Sequence, residues 1–280
     1  TSKKGQTTFR VSYVMAPGGT SHEGGKKFAE LVEERSSGKI QVKLYPNGIL
    51  GSERVEVEGL TLNSVDMVIA GPSIIGWYAP QYGVIEAPFV FRSYEHLEEV
   101  MNGKIGEEIE QAIYKKRKLH FLAFFHRGPR YLTTTNKIIK EPSDLNGLKL
   151  RVPELPTYIK SWETFGANPT PIGYSDMFMA LKQGVVEGQE NPLEVIYTSH
   201  LYEVQDYVME THHLLSFYVV AVSENFYSRY SKENQQIIEK SIKDAAEYQN
   251  NLVQQFEKKY RNELKEAGVE FIEVDKESFE

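Results

Sequence analysis

Short apolar runs and amphipathic stretches alternate over the first 70 residues. Residues 9–14, 40–44 and 66–70 are rich in apolar and β-branched side chains and predict three strands. Between them, apolar positions three and four residues apart predict two helices, one beginning near Thr20 and one opening at Ser52. This order indicates a βαβαβ unit, the opening half of a doubly wound parallel sheet.

The same alternation resumes after a mostly helical and irregular segment at residues 74–118. Residues 119–125 are short, apolar and aromatic, and they predict a buried strand that is stopped by Gly128-Pro129. Residues 149–152 alternate between polar and apolar side chains and predict another strand, which ends before Pro153. Helices are predicted at residues 157–165, 175–183 and 192–201, and a strand at 217–222 is expected to return to the first part of the fold.

A long helix without glycine or proline is predicted from Ser231 to Ala267. At 1.5 Å per residue it would be about 50 Å long, which exceeds the width of one small lobe. We therefore expect this helix to lie across two lobes and to fix how they hinge. The alternatives are a helix exposed along one lobe and a coiled-coil dimer helix.

The composition fits a globular protein of two domains. The chain has 280 residues, of which 40% are hydrophobic and 25% are charged. Its net charge of −7 argues against nucleic acid or an anionic membrane surface as a partner, because both attract basic proteins. Net charge does not attract an organic anion either, so any affinity for one must come from local arginines. The absence of cysteine excludes disulfides and thiolate chemistry.

No motif for a cofactor, a metal or a catalytic centre stands out. The glycines and lysines of residues 19–27 resemble a phosphate-binding loop, but the required Gly-Lys-Ser/Thr ending is missing. Only His212 and His213 among the seven histidines are close in sequence, and neighbouring side chains point apart. We expect no cofactor, no metal site and no catalytic residue, although the 39 acidic residues leave a carboxylate pair open.

Three polar side chains are expected where a strand gives way to a turn. Arg130 follows the strand at 119–125, and Arg151 lies at the carboxyl end of the strand at 149–152, the edge where open α/β sheets bind ligands. Asn191 precedes Pro192 and would cap a helix. A guanidinium fork matches both oxygens of a carboxylate, so the trio suits carboxylate capture. The alternative is that both arginines are surface charges and the asparagine is only a cap.

A run of motifs favours carboxylate capture over the alternative of surface charges and a helix cap. The chain carries GLKLRVP at residues 147–153, GANPTP at 166–171, ALKQG at 180–184 and VEGQENP at 186–192. Flanking pieces are LGSER at residues 50–54, APFVF at 87–91 and TTTN at 133–136. In this order and spacing the sequence resembles the DctP-type substrate-binding proteins of tripartite ATP-independent periplasmic (TRAP) transporters, over about its whole length.

The pattern and the resemblance together imply an α/β protein with a two-lobed, periplasmic-binding-protein-like fold. Each lobe is expected to be a sheet flanked by helices, joined to the other by hinge crossings and the long lobe-spanning helix. The expected boundaries are residues 1–127 plus 217–256 for lobe I and 128–216 plus 257–280 for lobe II, with the ligand cleft between them.

The resemblance assigns roles to four residues. Arg151 matches the family's principal carboxylate-binding arginine and is expected to form a two-pronged salt bridge with the ligand. Arg130 and Asn191 match its supporting partners, which would supply further donors and fix the carboxylate's orientation. Tyr174 matches a position where the family often places an aromatic ring against the ligand.

Ligand identity depends on residues outside this group. Family members that bind sialic acid carry a glutamate where Gly71 follows the third strand here, which puts sialic acid in doubt. Glu154, His22 and Glu53 could accept hydrogen bonds from ligand hydroxyls or an amino group; as surface residues they would have no such role. A uronate or another sugar acid is the first expectation, followed by C4-dicarboxylates and aromatic 2-oxo acids.

The resemblance implies an exported, monomeric protein that delivers its solute to TRAP membrane subunits in the periplasm. The sequence begins at Thr1, so we expect that an upstream signal peptide has been removed or omitted. A sensory module that reports an organic acid is the main alternative. An enzyme acting on a carboxylated substrate is a weaker one.

Overall fold

The computed structural model describes residues 6–280 and contains two sheets with helices packed around them. The strands are β1 Thr7–Ser12, β2 Ile40–Tyr45, β3 Met67–Ala70, β4 Leu119–Pro129, β5 Tyr131–Thr134, β6 Lys149–Val152, β7 Asn168–Pro171, β8 Gly188–Asn191, β9 Tyr207–Met209, β10 Leu215–Ser223 and β11 Glu270–Ile272. The helices are α1 Thr20–Arg35, α2 Glu53–Thr61, α3 Ser73–Tyr78, α4 Tyr94–Met101, α5 Lys104–Arg117, α6 Pro156–Thr164, α7 Met177–Lys182, α8 Leu193–Thr198, α9 Glu224–Arg229, α10 Lys232–Glu266 and α11 Lys276–Phe279. Short 3-10 helices lie at Pro80–Glu86, Pro142–Leu145, Tyr174–Asp176 and Leu201–Glu203.

The chain divides into two units. Unit 1 contains the described residues up to Ala79, together with Val100–His126 and Phe217–Val253. Unit 2 contains Pro80–Glu99, Arg127–Ser216 and Gln254–Glu280. The α/β class and the pair of sheets flanked by helices are as predicted.

The sheet of unit 1 has the strand order β2-β1-β3-β10-β4. β1 runs parallel to both β2 and β3, which confirms the predicted βαβαβ unit. β10 then returns antiparallel beside β3, with Val219 opposite Ala70. The carboxyl ends of β1 and β3 therefore meet at one edge of this sheet, beside the first turns of α1 and α2.

The sheet of unit 2 has the strand order β11-β9-β5-β8-β6-β7. β8 is antiparallel to β5, with Asn191 opposite Tyr131, and parallel to β6. Gly188 is required at the start of β8, because a Cβ atom there would lie 2.5 Å from the Thr133 carbonyl oxygen. This close approach places the polar end of β8 beside the strands that carry the predicted arginines.

Two predicted element boundaries are wrong. β4 extends beyond the predicted end at residue 125 and includes Gly128-Pro129, where it ends. Asn191 is the last residue of β8, and Pro192 in extended conformation (φ −63°, ψ 155°) is the N-cap of α8. The side chain of Asn191 is therefore free from capping and points its amide at other partners.

The predicted assignment of residues 80–99 to lobe I also differs from the structure. This segment packs with unit 2, where the Thr157 hydroxyl donates to the Gly83 carbonyl (3.2 Å) and the Phe89 amide donates to the His213 carbonyl (2.8 Å). The long helix is confirmed as α10, with 35 residues. Its residues as far as Val253 belong to unit 1, and those from Gln254 belong to unit 2.

Candidate anion-binding site

A buried cluster of charged side chains lies in unit 2 around the end of β8. Arg151 is the third residue of β6, Arg130 lies between β4 and β5, and Glu190 and Asn191 end β8. All four residues are at most 3% exposed. The parallel pairing of β6 with β8 and the antiparallel pairing of β8 with β5 bring these positions together.

Arg130 is bound to Glu190. Its Nε donates to Glu190 Oε2, and its Nη2 donates to Glu190 Oε1 at 2.7 Å and to the Glu190 backbone carbonyl at 2.8 Å. Burial would raise the pKa of Glu190, but Arg130 and His213 outweigh it and hold this pKa at about 2. Glu190 is thus ionised at neutral pH, and most of the guanidinium of Arg130 is committed to it.

His213 completes the surroundings of Glu190. Burial lowers the pKa of His213, so its imidazole is neutral at pH 7. Its Nε2 lies 3.1 Å from Glu190 Oε2, and its Nδ1 lies 2.8 Å from the Thr211 hydroxyl. Since the carboxylate only accepts, Nε2 carries the proton and Nδ1 accepts from Thr211. His213 therefore adds a hydrogen bond without adding charge.

Arg151 has a different environment from Arg130. Its Nε donates to the Ile172 carbonyl oxygen at 2.9 Å, and this is its one hydrogen bond to the described residues. Burial lowers the pKa of Arg151 to about 10, and the charge of Glu190 partly offsets this effect. The guanidinium is still charged at neutral pH, with both terminal nitrogens available to a ligand.

The Asn191 amide is engaged by its neighbours. Its Oδ1 accepts from Arg130 Nη2 at 3.2 Å and from Arg127 Nη2 at 3.4 Å. Its Nδ2 donates to Gln189 Oε1 at 2.6 Å. Asn191 is therefore held between two arginines, which fixes its orientation; whether it also contacts a ligand stays a prediction.

Arg127 belongs to this cluster but was not predicted. The sequence signal is its position three residues before Arg130, on the other side of Gly128-Pro129. Its charge lowers the pKa of Arg151, which shows how close the two guanidinium groups are. Arg127, Arg130 and Arg151 thus lie close together, and the buried carboxyl groups of Glu190, Glu86 and Glu194 are near them. Arg151 is the member of this cluster that can bind an anion, because its terminal nitrogens have no acceptor within the described residues.

Tyr174 and Glu154 lie near the same end of unit 2. The Tyr174 hydroxyl is 2.8 Å from the Ser199 hydroxyl, and burial is the largest of the effects that raise the pKa of Tyr174. Its ring is close enough to Arg151 to feel that charge. Glu154 is exposed, and its carboxyl group lies close to Gly173. Their predicted contacts with a ligand remain predictions.

His22 and Glu53 lie in unit 1, and both contact protein groups. Glu53 Oε1 accepts the Gly71 backbone amide at 2.5 Å and so holds the turn that follows β3. His22 Nδ1 is 2.7 Å from the Tyr13 hydroxyl, and burial lowers the pKa of His22. One of the two carboxylate oxygens of Glu53 is therefore engaged internally, which sequence spacing did not reveal.

The rest of the described chain adds two observations. None of the helices within residues 6–280 combines the length and the apolar content that crossing a membrane requires. The same residues hold no group of three or more histidine, aspartate or glutamate side chains suited to a metal ion.

Comparison with known proteins finds a matching family model and relatives of nearly the full chain. The model of the bacterial extracellular solute-binding protein family 7 (DctP) matches residues 11–280. A solute-binding protein of Roseobacter denitrificans is 36% identical over 98% of this chain and 84% of its own. The 2,3-diketo-L-gulonate-binding periplasmic protein of Escherichia coli is 31% identical over 100% of this chain and 85% of its own.

Solved structures agree with the sequence comparisons. The structure of a TRAP solute-binding protein from Roseobacter denitrificans with bound L-galactonate superposes with a TM-score of 0.92, at 35% identity, over 98% of this chain and 91% of that one. A Polaromonas TRAP solute-binding protein bound to D-erythronate also gives a TM-score of 0.92, at 31% identity, over 98% of this chain and 90% of that one.

Proposed function

Because the chain belongs to family 7 of the bacterial extracellular solute-binding proteins, we propose that it captures a small organic acid with Arg151 and delivers it to a TRAP permease. The observation that supports this proposal most directly is the environment of Arg151. This guanidinium is buried and charged, and its two terminal nitrogens have no acceptor within the described residues. A ligand carboxylate would accept from both nitrogens as a bidentate pair and would neutralise the charge of Arg151.

The residues around Arg151 have separate roles in positioning the site and contacting the ligand. Arg130 is committed to Glu190 and Asn191, so we assign it chiefly to holding these residues in place beside Arg151. Asn191 and Arg127 then present fixed polar groups near the same guanidinium. The Tyr174 ring, anchored through Ser199, supplies an apolar face for the ligand.

The proposed ligand is a hydroxylated acid, with uronates and aldonates first. Relatives named for or solved with L-galactonate, D-erythronate and 2,3-diketo-L-gulonate support this class, because all three molecules combine one carboxylate with several oxygen substituents. Glycine at position 71 keeps sialic acid a poor candidate.

Transport is the role that the family supports. TRAP solute-binding proteins work outside the cytoplasm with membrane subunits, and we propose the same periplasmic or extracytoplasmic setting for this chain, as a monomer and without enzymatic activity. Closure of the two lobes over the ligand stays a prediction of the resemblance. A sensory module would use the same arginines, and its mark would be a signalling partner in place of a permease.

A thermal-shift screen tests the proposal. Protein freed of co-purified solute by unfolding and refolding is screened against uronates, aldonates, dicarboxylates and 2-oxo acids. We expect at least one hydroxylated acid to raise the melting temperature of the wild type and of the exposed-arginine control Arg92→Ala, and to have no effect on Arg151→Ala. A shift that survives in Arg151→Ala would refute the carboxylate-binding role of Arg151.

A further inference from the structure

A row of buried polar side chains crosses the sheet of unit 2, beginning at Asn191. Gln189 and Asn191 are two residues apart on β8 and therefore lie on the same face of the strand. Thr133 of β5 is paired directly with Gln189, and Gln205 precedes β9, the strand on the other side of β5. All four residues are at most 1% exposed, so the row is enclosed in the interior of unit 2. We call Asn191, Gln189, Thr133 and Gln205 the polar row.

Each member of the polar row is hydrogen-bonded to the next. Asn191 Nδ2 donates to Gln189 Oε1 at 2.6 Å, and Gln189 Nε2 donates to the Thr133 hydroxyl at 2.9 Å. The Thr133 hydroxyl donates to Gln205 Oε1 at 2.6 Å, since its other acceptor, the Gln189 carbonyl, lies 3.5 Å away. Gln205 Nε2 ends the row by donating to the Val204 carbonyl at 2.7 Å. The row is therefore a continuous chain of hydrogen bonds.

The donors and acceptors of the polar row follow one direction, and the Val204 carbonyl sets it. A backbone carbonyl only accepts, so Gln205 must turn its side-chain nitrogen to Val204 and its oxygen to Thr133. The Thr133 hydroxyl gives its one hydrogen to that oxygen and therefore accepts from Gln189 Nε2. Gln189 then presents its oxygen to Asn191 Nδ2, so the Asn191 amide must point its own oxygen away from the row.

The Asn191 oxygen at the end of the polar row faces two arginines. It accepts from Arg130 Nη2 at 3.2 Å and from Arg127 Nη2 at 3.4 Å. If the amide were turned over, its nitrogen would meet both guanidinium groups, donor against donor. The charges of Arg127 and Arg130 both act on Arg151 and lower its pKa, so these groups are close to it. The direction of the row therefore decides whether two arginines keep a common acceptor beside Arg151.

Packing alone does not require polar side chains at these positions. A buried polar group gives up its hydrogen bonds with water on folding, and replacing both partners of a buried hydrogen bond by apolar groups of the same shape can be nearly neutral. The polar row also gives a physical task to two motifs that the proposed function leaves partly unused. Thr133 opens TTTN at residues 133–136, and Gln189 lies in VEGQENP at residues 186–192.

We propose that Thr133 and the two glutamines of the polar row fix the orientation of the Asn191 amide and so hold Arg127 in place for solute binding. These residues act through Asn191 and not by contact with the solute. The inference rests on the proposed function, because it concerns the affinity of the Arg151 site for its organic acid. Removing the Thr133 hydroxyl breaks the row in the middle, so that nothing fixes the direction in which the Asn191 amide points.

A double-mutant cycle measured by isothermal titration calorimetry tests the inference, with Thr133→Val, Asn191→Ala and the double variant. The probe is L-galactonate, D-glucuronate or succinate, whichever the wild type binds most tightly. We expect Thr133→Val to lower the affinity at least fivefold in the wild type, but less than twofold in the Asn191→Ala background. Thr133→Ser, which keeps the hydroxyl, should stay within twofold of the wild type. So should the matched control Thr134→Val, because Thr134 is the next buried residue of β5 and its hydroxyl donates to the Lys137 carbonyl, outside the row.

The possible failures are distinguishable. If folded Thr133→Val keeps its affinity for the probe within twofold, or if it loses as much affinity without Asn191 as with it, the polar row serves stability alone and the inference is overturned. If circular dichroism shows that Thr133→Val does not fold, Gln205→Met, which breaks the row nearer to the Val204 carbonyl, replaces it in the cycle with the same expected losses. If Arg151→Met leaves the affinity for the probe unchanged, the proposed function itself fails.

Discussion

Replacing Arg151 with methionine should stabilise the ligand-free protein while abolishing its response to ligand. Burial lowers the pKa of Arg151 from 12.5 to about 10, and each factor of ten in a protonation equilibrium corresponds to about 1.4 kcal/mol. Holding this charge in the folded protein therefore costs about 3 kcal/mol at any pH below about 10. The cost disappears only as the pH rises through the pKa of the folded state towards 12.5.

Methionine removes the charge and keeps most of the volume. It also removes the hydrogen bond from Nε to the Ile172 carbonyl, which is worth about 1 kcal/mol, with a further cost for leaving that oxygen unpaired. The net expectation is a stabilisation of about 1–2 kcal/mol, or a few degrees in Tm for a chain of this size. Glu190 keeps Arg130 and His213 as partners, so the substitution creates no unpaired carboxylate.

The measurement compares urea midpoints and melting temperatures of refolded, solute-free wild type, Arg151→Met and the exposed-arginine control Arg92→Met. Adding the preferred organic acid should raise the Tm of the wild type and the control only. A ligand-free Arg151→Met protein that is less stable than the wild type by 1 kcal/mol or more would show that the protein itself compensates the Arg151 charge, and the reasoning would be refuted.

Three further outcomes follow from the same contacts. Glu190→Gln should lower the free energy of unfolding by about 3–5 kcal/mol in urea denaturation, because it leaves the buried Arg130 without its carboxylate. Since the pKa of Glu190 is held at about 2, the stability advantage of the wild type should be full above pH 4.5 and lost as the pH falls towards 2. A stability difference that does not depend on pH would contradict this prediction. Glu56 is a buried residue of α2, and burial raises the pKa of its carboxyl to about 8. The folded wild type should therefore lose stability as the pH rises from 4.5 to 8, so that Glu56→Gln is no more stable than wild type at pH 4.5 but about 1–3 kcal/mol more stable at pH 8. Parallel profiles of unfolding free energy against pH for the two proteins would count against this prediction. Gly188→Ala should destabilise the protein by about 2–4 kcal/mol in thermal unfolding, because its Cβ would clash with the Thr133 carbonyl 2.5 Å away, and an unchanged Tm would show that β8 can shift.

Periodicity was sufficient to predict the regular parts of the fold. The alternation of strands and helices before Ala70 and the long uninterrupted pattern of α10 are local signals, and the structure confirms both. The segment at residues 80–99 was misassigned because it has no strong pattern of its own. Its membership of unit 2 depends on distant contacts such as the Phe89 amide with the His213 carbonyl.

The sequence predicted the place of Arg151 in the fold, but it did not predict the contacts of Arg127 and Glu53. Arg151 carries a motif, and its burial follows from its place in an interior strand. Arg127 was missed because β4 extends beyond residue 125 and includes Arg127, whose side chain reaches Asn191 from a position that looked like a turn. The internal role of Glu53 was missed because the backbone amide of Gly71, to which it binds, is 18 residues away in the sequence.

The place of β10 has a consequence for biogenesis. This strand lies between β3 and β4, so the sheet of unit 1 lacks an inner strand until residues 215–223 have been synthesised. A nascent or truncated chain that stops earlier leaves the edges of β3 and β4 open, which invites intermolecular pairing. Folding of this unit must therefore wait until residues 215–223 have been synthesised, and such long-range pairing is slow. We expect fragments ending before residue 215 to aggregate or to be degraded, because the open edges of β3 and β4 can pair with other chains.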